Sequence, residues 1–162
     1  MSIENVNQST TSTRFSQHAS RDMWCSLLAQ CNDQDLVQVI ESMLATNASE
    51  IQVHLVMPVR TGTAQLPVRE PVANEQFFIG DALVSTAEVS VNGFLGWAMR
   101  LGSHADATIA AAIADAILCD TSSPLRDPIL EFLAAADQVI ASNENEDWAK
   151  LQSTIVEFEE LD

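Results

Sequence analysis

Basic residues are scarce in this sequence. Seven lysines and arginines stand against 23 aspartates and glutamates, which gives a formal net charge of −16. Such a chain repels a phosphate backbone unless its few basic side chains gather on one face. They are instead scattered along the sequence, at Arg14, Arg21, Arg60, Arg69, Arg100, Arg126 and Lys150. We therefore expect no nucleic-acid partner.

Long apolar runs are also missing. No stretch reaches the roughly 20 residues that cross a bilayer. The N-terminal MSIENVNQSTTSTRFSQ has neither the basic start nor the apolar core of a signal peptide. We therefore predict a soluble, cytoplasmic protein with no membrane partner.

Cysteine is rare as well. Cys25, Cys31 and Cys119 form an odd set without paired metal-ligand spacing, and all three lie in segments with helical periodicity. We interpret them as small buried hydrophobic residues, and a metal or redox role is the less favoured hypothesis.

The residues that are present fit one folded domain. The chain has 162 residues, of which 47% are hydrophobic and 19% charged. A domain of this size buries roughly 70% of its unfolded surface, enough for a substantial core. Residues 1–13 are rich in Asn, Ser and Thr and show no periodicity. We predict a disordered tail over residues 1–13 and a single domain over residues 14–162.

Two helices are predicted near the N-terminus. Trp24, Leu27 and Leu28 recur at helical spacing within residues 20–31, and a second apolar stripe begins at Leu36. Asp33 follows the short break between them and can cap the second helix. This pattern is typical of a helical hairpin.

The pattern changes to alternation of apolar and polar residues from Ile51. One alternating segment runs to Arg60, a second follows Thr61-Gly62, and two more flank Asn92-Gly93. We therefore predict an antiparallel sheet of about four strands. With helices before and after this sheet, the predicted fold class is α+β.

The parity of the apolar residues bears on the turn at Asn92-Gly93. A two-residue turn would expose Trp97, whereas a three-residue loop over residues 91–93 places Trp97 opposite Ala87 on a buried face. We therefore predict a bulged hairpin with a three-residue loop. Gly96, on the opposite face, indicates either close approach of another backbone or a bend in the strand.

Helices are predicted again after the sheet. The first should follow Ser103, a good N-cap, and run from Ala105 to about Cys119. Two further helices are predicted, one near Ile129 and one from Trp148 to Phe158. Asp115 lies off the apolar stripe of the first of these helices, so we interpret it as a solvent-facing or paired carboxylate rather than a catalytic one.

A search for catalytic residues is mostly negative. The sequence has no phosphate-binding glycine loop, no cluster of metal ligands and no nucleophile with a base. His104 near Asp106 is the closest approach to a dyad, and Asp81 is an isolated candidate more typical of a turn. We predict no catalytic, cofactor-binding or metal-binding residues, and we favour a binding subunit over an autonomous enzyme.

Five motifs occur in the order and spacing of a known family. They are RDMWCSLLAQC at 21–31, TGTAQLPVRE at 61–70, FFIGDA at 77–82, NGFLGW at 92–97 and ADAIL at 114–118. From about Arg14 to Leu118 the chain resembles the PhnG subunit of the bacterial carbon-phosphorus lyase system. The resemblance implies an accessory subunit of a hetero-oligomer with PhnH, PhnI and PhnJ type partners in phosphonate catabolism. It also implies support for the formation of ribose 1-alkylphosphonate 5-triphosphate from ATP and an alkylphosphonate.

The sequence departs from the family pattern at two places. Residues 71–74, PVAN, replace a glycine-rich step, and the residues after Gly102 lack the family's basic run. A basic helix N-terminus would suit an anionic ligand or an acidic partner. Because those charges are absent, we assign no phosphate-binding residue.

The predicted partner surface consists of the hairpin and the segment before it. Its members are Phe77, Phe78, Gly80, Asp81, Gly93, Gly96 and Trp97. The adjacent Phe77 and Phe78 cannot both face the core of a regular strand, so one of them is expected to be a contact. Two alternatives remain open: a diverged scaffold or regulatory binding protein without lyase partners, and a small free-standing enzyme that uses His104, Asp106 or Asp81.

Overall fold

A computed structural model describes residues 19–152. Within this range the elements are α1 (Arg21–Gln30), α2 (Asp33–Thr46), β1 (Val53–Arg69), β2 (Gln76–Val91), β3 (Phe94–Leu101), α3 (Ala105–Cys119) and α4 (Arg126–Gln152). Helices before and after an antiparallel sheet confirm the predicted α+β class. The predicted tail, and Ile155 and Phe158 of the predicted last helix, lie outside the described residues.

The N-terminal helical hairpin forms as predicted, with one change at its turn. Trp24, Leu27 and Leu28 of α1 are buried in the core. Asn32, not Asp33, caps α2, because its side-chain oxygen accepts hydrogen bonds from two backbone N–H groups of the first turn at 2.9 and 3.2 Å. Asp33 is the first helical residue, and its carboxylate pairs with a side chain of β3 instead.

The sheet has three strands in the order β1-β2-β3 rather than the predicted four. The predicted break at Thr61-Gly62 is wrong, because β1 continues through it and Gly62 pairs with Val84 of β2. A glycine interrupts a strand where it forms a turn or a bulge, and Gly62 lies in a regular part of the ladder. Pro58 lies on an edge strand, where proline is tolerated.

The connection between β2 and β3 is a two-residue turn, so the predicted three-residue bulged loop is wrong. Asn92 and Gly93 have φ angles of 50° and 92°, as a type I′ turn requires, and Val91 pairs directly with Phe94. This register places Ala87 opposite Ala98. Trp97 therefore points away from the core, whereas the prediction placed it on the buried face.

Close packing of α3 on the sheet explains this register. α3 is rich in alanine, and it lies against the small residues of β3. A Cβ added at Gly96 would stand 2.0 Å from the carbonyl oxygen of Ala112 and 2.4 Å from the amide nitrogen of Ala116. The backbone that approaches Gly96 thus belongs to the chain itself. A large side chain could not occupy position 96 at such a distance between helix and sheet.

The C-terminal helices differ from the prediction in two respects. α3 begins at Ala105 as predicted, but the side chain of Ser103 does not cap it, and its hydroxyl lies 3.4 Å from that of Thr61 instead. The two helices predicted beyond α3 are one helix, α4, in the described residues. The start of α4 packs on the core, where the guanidinium of Arg126 lies 5.5 Å from the ring centroid of Trp24.

Candidate partner-binding surface

An uncovered row of large apolar side chains lies on the face of the sheet opposite α3. Four alternate residues of β3, which we call the outer stripe, point to this face: Leu95, Trp97, Met99 and Leu101. Their exposed fractions range from 40% for Met99 to 68% for Leu101. Of the described helices only α1 and α3 contact the strands, and neither covers this row. Contiguous exposed apolar surface of this kind is typical of protein–protein contact sites.

A two-stranded arm extends the sheet beyond β3. β3 pairs with β2 only from Val84 onwards, whereas β1 and β2 remain paired as far as Arg69 and Gln76. We call residues 64–82 the arm. Its exposed large apolar side chains are Leu66, Val68, Val72, Phe77, Phe78 and Ile79. A two-stranded ribbon is marginally stable alone, so an arm with this composition favours a second protein as its cover.

The two adjacent phenylalanines lie on opposite faces of the arm. Phe77 pairs with Val68 and Phe78 with Pro67, and they are 47% and 59% exposed. We predicted exposure for one of them, and both are exposed. Their contact with a partner stays a proposal.

The tip of the arm contains residues 71–74, which depart from the glycine-rich pattern noted in the sequence. The carboxylate of Glu70 accepts hydrogen bonds from the backbone N–H groups of Val72, at 2.7 Å, and Ala73. Asn74 has a φ angle of 57° and takes the left-handed position that a glycine would otherwise fill. The replaced step therefore still forms a closed turn.

A buried carboxylate holds the backbone of β3 beneath the outer stripe. Asp115 of α3 is fully buried, and it accepts hydrogen bonds from the Trp97 backbone N–H at 2.9 Å and from Trp24 Nε1 at 2.8 Å. Its second oxygen also pairs with Arg21 Nη2 at 2.6 Å. Of the two predicted alternatives, solvent-facing or paired, the structure shows the paired carboxylate. Hydrogen bonds and one cation replace the water that it loses on burial.

The pKa values of several groups in this cluster are shifted, among them those of Asp115 and Cys25. Burial raises the pKa of Asp115, but the hydrogen bonds from Arg21, Trp24 and Trp97 outweigh it, so the net shift is below the ordinary value. The thiol of Cys25 lies 3.5 Å from the same carboxylate. Burial, and then the negative charge of Asp115, raise the pKa of Cys25 to about 12. This thiol is therefore a poor nucleophile.

A second buried cluster fastens β3 to the turn between α1 and α2. Arg100 is buried, and its guanidinium donates hydrogen bonds to the carbonyl oxygens of Leu28 and Cys31 and to the carboxylate of Asp33. Asp33 also lies 2.7 Å from His104 Nδ1. The structure thus brings His104 to Asp33, whereas the sequence suggested Asp106 as its partner.

The groove beside His104 offers little for catalysis. It has a volume of about 530 Å³, and Asp33, Glu41, Ser103, His104 and Asp106 are among its lining residues. The hydroxyl of Ser103 lies beside Thr61 rather than His104, so no nucleophile–base pair forms there. Asp81 is not part of the groove, because it lies on β2 in the arm and not in a turn.

The predicted partner residues fall into two groups. Phe77, Phe78, Gly80, Asp81, Gly93 and Trp97 are exposed, whereas Gly96 is buried. Gly96 lies under α3, so we do not include it in the candidate surface. Sequence reasoning missed Leu95, Met99 and Leu101 as surface residues, although their strict alternation with Gly96 and Ala98 was the available signal.

Between residues 19 and 152 no helix is long and apolar enough to span a membrane. In the same range no three His, Cys, Asp or Glu side chains gather in a way that could hold a metal ion.

Comparison with known proteins gives one clear match. The family model described as Phosphonate metabolism protein PhnG matches residues 19–161, which is most of the chain. No curated protein matches the chain. The extent of the family match, together with the α+β architecture that the residues form, establishes that the chain belongs to the PhnG family of phosphonate metabolism proteins.

Proposed function

We propose that the chain is an accessory subunit of a carbon-phosphorus lyase complex in the cytoplasm, with PhnH, PhnI and PhnJ type subunits as its partners. In this role it supports formation of ribose 1-alkylphosphonate 5-triphosphate and carries no catalytic residue of its own. Membership of the PhnG family supports phosphonate metabolism as the process.

The outer stripe is the observation that carries this proposal. Four large apolar side chains on one strand, continued by the apolar residues of the arm, remain uncovered in the described chain. Burying a side chain such as Leu101 contributes about 1.5–3 kcal/mol, so covering the row provides much of the free energy that a stable subunit contact needs. The groove at His104, in contrast, lacks a paired nucleophile and base.

Pull-down of matched variants tests this role. The chain is co-expressed with the PhnH, PhnI and PhnJ type subunits of the same organism, and the PhnI type subunit carries the tag. Leu95→Lys/Leu101→Lys should reduce co-purification at least about tenfold, because lysine heads cannot be buried unpaired at an apolar contact. The control is Met23→Lys/Val139→Lys, which changes two exposed apolar residues of α1 and α4.

The thermal stability of both variants should equal that of the wild-type chain, because the substituted side chains are solvent-exposed. Equal co-purification of the stripe variant and its control would exclude the outer stripe as the contact surface.

A further inference from the structure

We propose that the free edge of β1 between Arg60 and Gln65 is a strand-addition site for an extended acidic segment of a partner subunit. This inference rests on the proposed function and adds to the outer stripe a second kind of contact, made by main-chain hydrogen bonds. It concerns the edge of the sheet, whereas the outer stripe concerns its face.

The phase of the hydrogen bonds, that is, which residues of a strand bond to which neighbouring strand, shows which backbone groups of β1 point away from the sheet. The N–H of Asn92 donates to the carbonyl of Gln52, and the N–H of Gly102 donates to the carbonyl of Leu83. In an antiparallel ladder hydrogen-bonded and non-hydrogen-bonded pairs alternate, so the even-numbered residues of β2 bond to β1 and the odd-numbered ones to β3.

This phase can be followed along β1. Arg60, Gly62 and Ala64 pair with even-numbered residues of β2 and bond to it. The N–H and C=O groups of the intervening Thr61, Thr63 and Gln65 therefore point to the free edge. Among residues 19–152 they form a row of three unpaired donor and acceptor sets along one side of the sheet.

The same stretch is the regular part of an otherwise irregular edge. Register shifts lie on both sides of it, between Met57 and Arg60 and between Gln65 and Pro67, and Pro58 and Pro67 stand beyond its ends. Apart from Arg60 at its end, its side chains are uncharged, and no lysine or glutamate blocks the edge. Bulges, prolines and charges are the devices that prevent edge pairing, so this segment of about six residues is an open template.

The opposite edge of the sheet is partly blocked, in contrast to this stretch of β1. By the same phase the N–H of Trp97 points outward from β3, and the carboxylate of Asp115 accepts it at 2.9 Å. α1 also lies against β3, whereas α3 is the one described helix that contacts β1. Within the described residues the fold thus blocks part of the β3 edge and leaves this stretch of β1 available.

Charge identifies the occupant. β1 carries Arg60 and Arg69 and no acidic residue, although the chain as a whole has a formal charge of −16. Both arginines are exposed, and among residues 19–152 neither forms an ion pair. An extended segment with acidic side chains fits this strand, whereas a second copy would bring a further charge of −16 to the same place.

Residue-resolved amide exchange of the chain alone and in the co-expressed complex tests the inference. The amides of Thr61, Thr63 and Gln65 should exchange rapidly in the free chain and at least about tenfold more slowly in the complex. The amides of Gly62 and Ala64 bond to β2 and serve as internal controls, protected in both states. This measurement on the wild-type chain does not depend on the folding of any variant.

Two sets of variants complete the test. Thr63→Pro removes one outward N–H while leaving the bonds to β2, and should reduce co-purification at least about tenfold; Thr63→Val keeps the N–H and should not. Arg60→Glu/Arg69→Glu should weaken assembly by a similar factor, and Arg60→Lys/Arg69→Lys should not.

The outcomes separate this inference from the proposed function. If the complex assembles but the amides of Thr61, Thr63 and Gln65 still exchange rapidly, strand addition is overturned and the subunit role stands. Failure of the chain to enter any complex overturns both. Concentration-dependent protection of the same amides in the isolated chain would identify a second copy as the occupant and overturn the acidic partner segment.

Discussion

Replacement of Gly96 by alanine tests how the sheet and α3 are packed. The added Cβ would lie 2.0 Å from the carbonyl oxygen of Ala112, whereas ordinary contacts begin near 3.4 Å. α3 would have to move away from β3 by about 1.4 Å. Both of the nearest obstructing atoms belong to the helix backbone, so no side-chain rotation can relieve the clash.

The expected cost lies at the upper end of that for overpacked cores, about 3 kcal/mol. For a chain of this size that corresponds to a melting temperature lower by about 6–12 °C. The assay is thermal and urea denaturation followed by circular dichroism. Gly62→Ala is the matched control, because nothing lies within 4 Å of its added Cβ, and it should change the free energy of unfolding by less than about 1 kcal/mol.

A Gly96→Ala variant that melts within about 2 °C of the wild-type chain would refute this packing. It would also remove the reason why the small residues of β3 face inward. The outer stripe would then lose its structural explanation.

Three further predictions concern the buried polar groups. Asp115→Asn should lower the free energy of unfolding by about 3 kcal/mol at pH 7. Hydrogen bonds lower the pKa of Asp115 against the effect of burial, so the wild-type carboxylate stabilises the fold above about pH 4. This stabilisation should be lost as the pH falls through the folded pKa of Asp115. Urea denaturation between pH 7 and pH 3 measures this, and an equally steep acid limb in the variant contradicts it. Arg100→Met should lower the free energy of unfolding by about 3 kcal/mol in the same assay, since it removes the guanidinium that donates to two carbonyl oxygens and to Asp33. A neutral result would show that the cluster contributes nothing. Cys25, with its pKa raised to about 12, should react with iodoacetamide at pH 8 only on unfolding, and rapid alkylation of the native chain would count against its burial beside Asp115.

Periodicity was sufficient to predict most elements. The spacing of Trp24, Leu27 and Leu28 predicts α1, and alternation predicts the strands, because each pattern reflects which side of one element is buried. The strand count failed at Gly62, since a single glycine does not show whether the chain turns there. The predicted caps failed for a similar reason, as Asn32 and Asp33 are chemically equivalent candidates.

The turn at Asn92-Gly93 could not be predicted from alternation alone. The prediction placed Trp97 and its large neighbours inside, as hydrophobicity suggests, but the alanine-rich α3 packs closely on Gly96 of β3 and leaves no room for a large side chain there. Asn-Gly is itself a strong signal for a two-residue turn, and here that local preference and the packing of two layers agree. Which face a strand buries depends on the volume of what covers it.

The candidate surface was predicted in part for the same reason. Exposure of at least one of Phe77 and Phe78 followed from their adjacency, because neighbouring strand residues point to opposite faces. The buried cluster around Asp115 beneath Trp97 could not be predicted from the sequence, since Asp115 and its partner Arg21 are 94 residues apart. Pairings at that separation depend on tertiary structure.

The proposed function makes this chain a working subunit of a phosphonate-metabolising complex. Native mass spectrometry of the co-expressed complex, purified through a tagged PhnI type subunit, tests this role. We expect this chain to be present in equal stoichiometry with the other subunits. Complete assembly of the PhnH, PhnI and PhnJ type subunits without this chain would contradict this role.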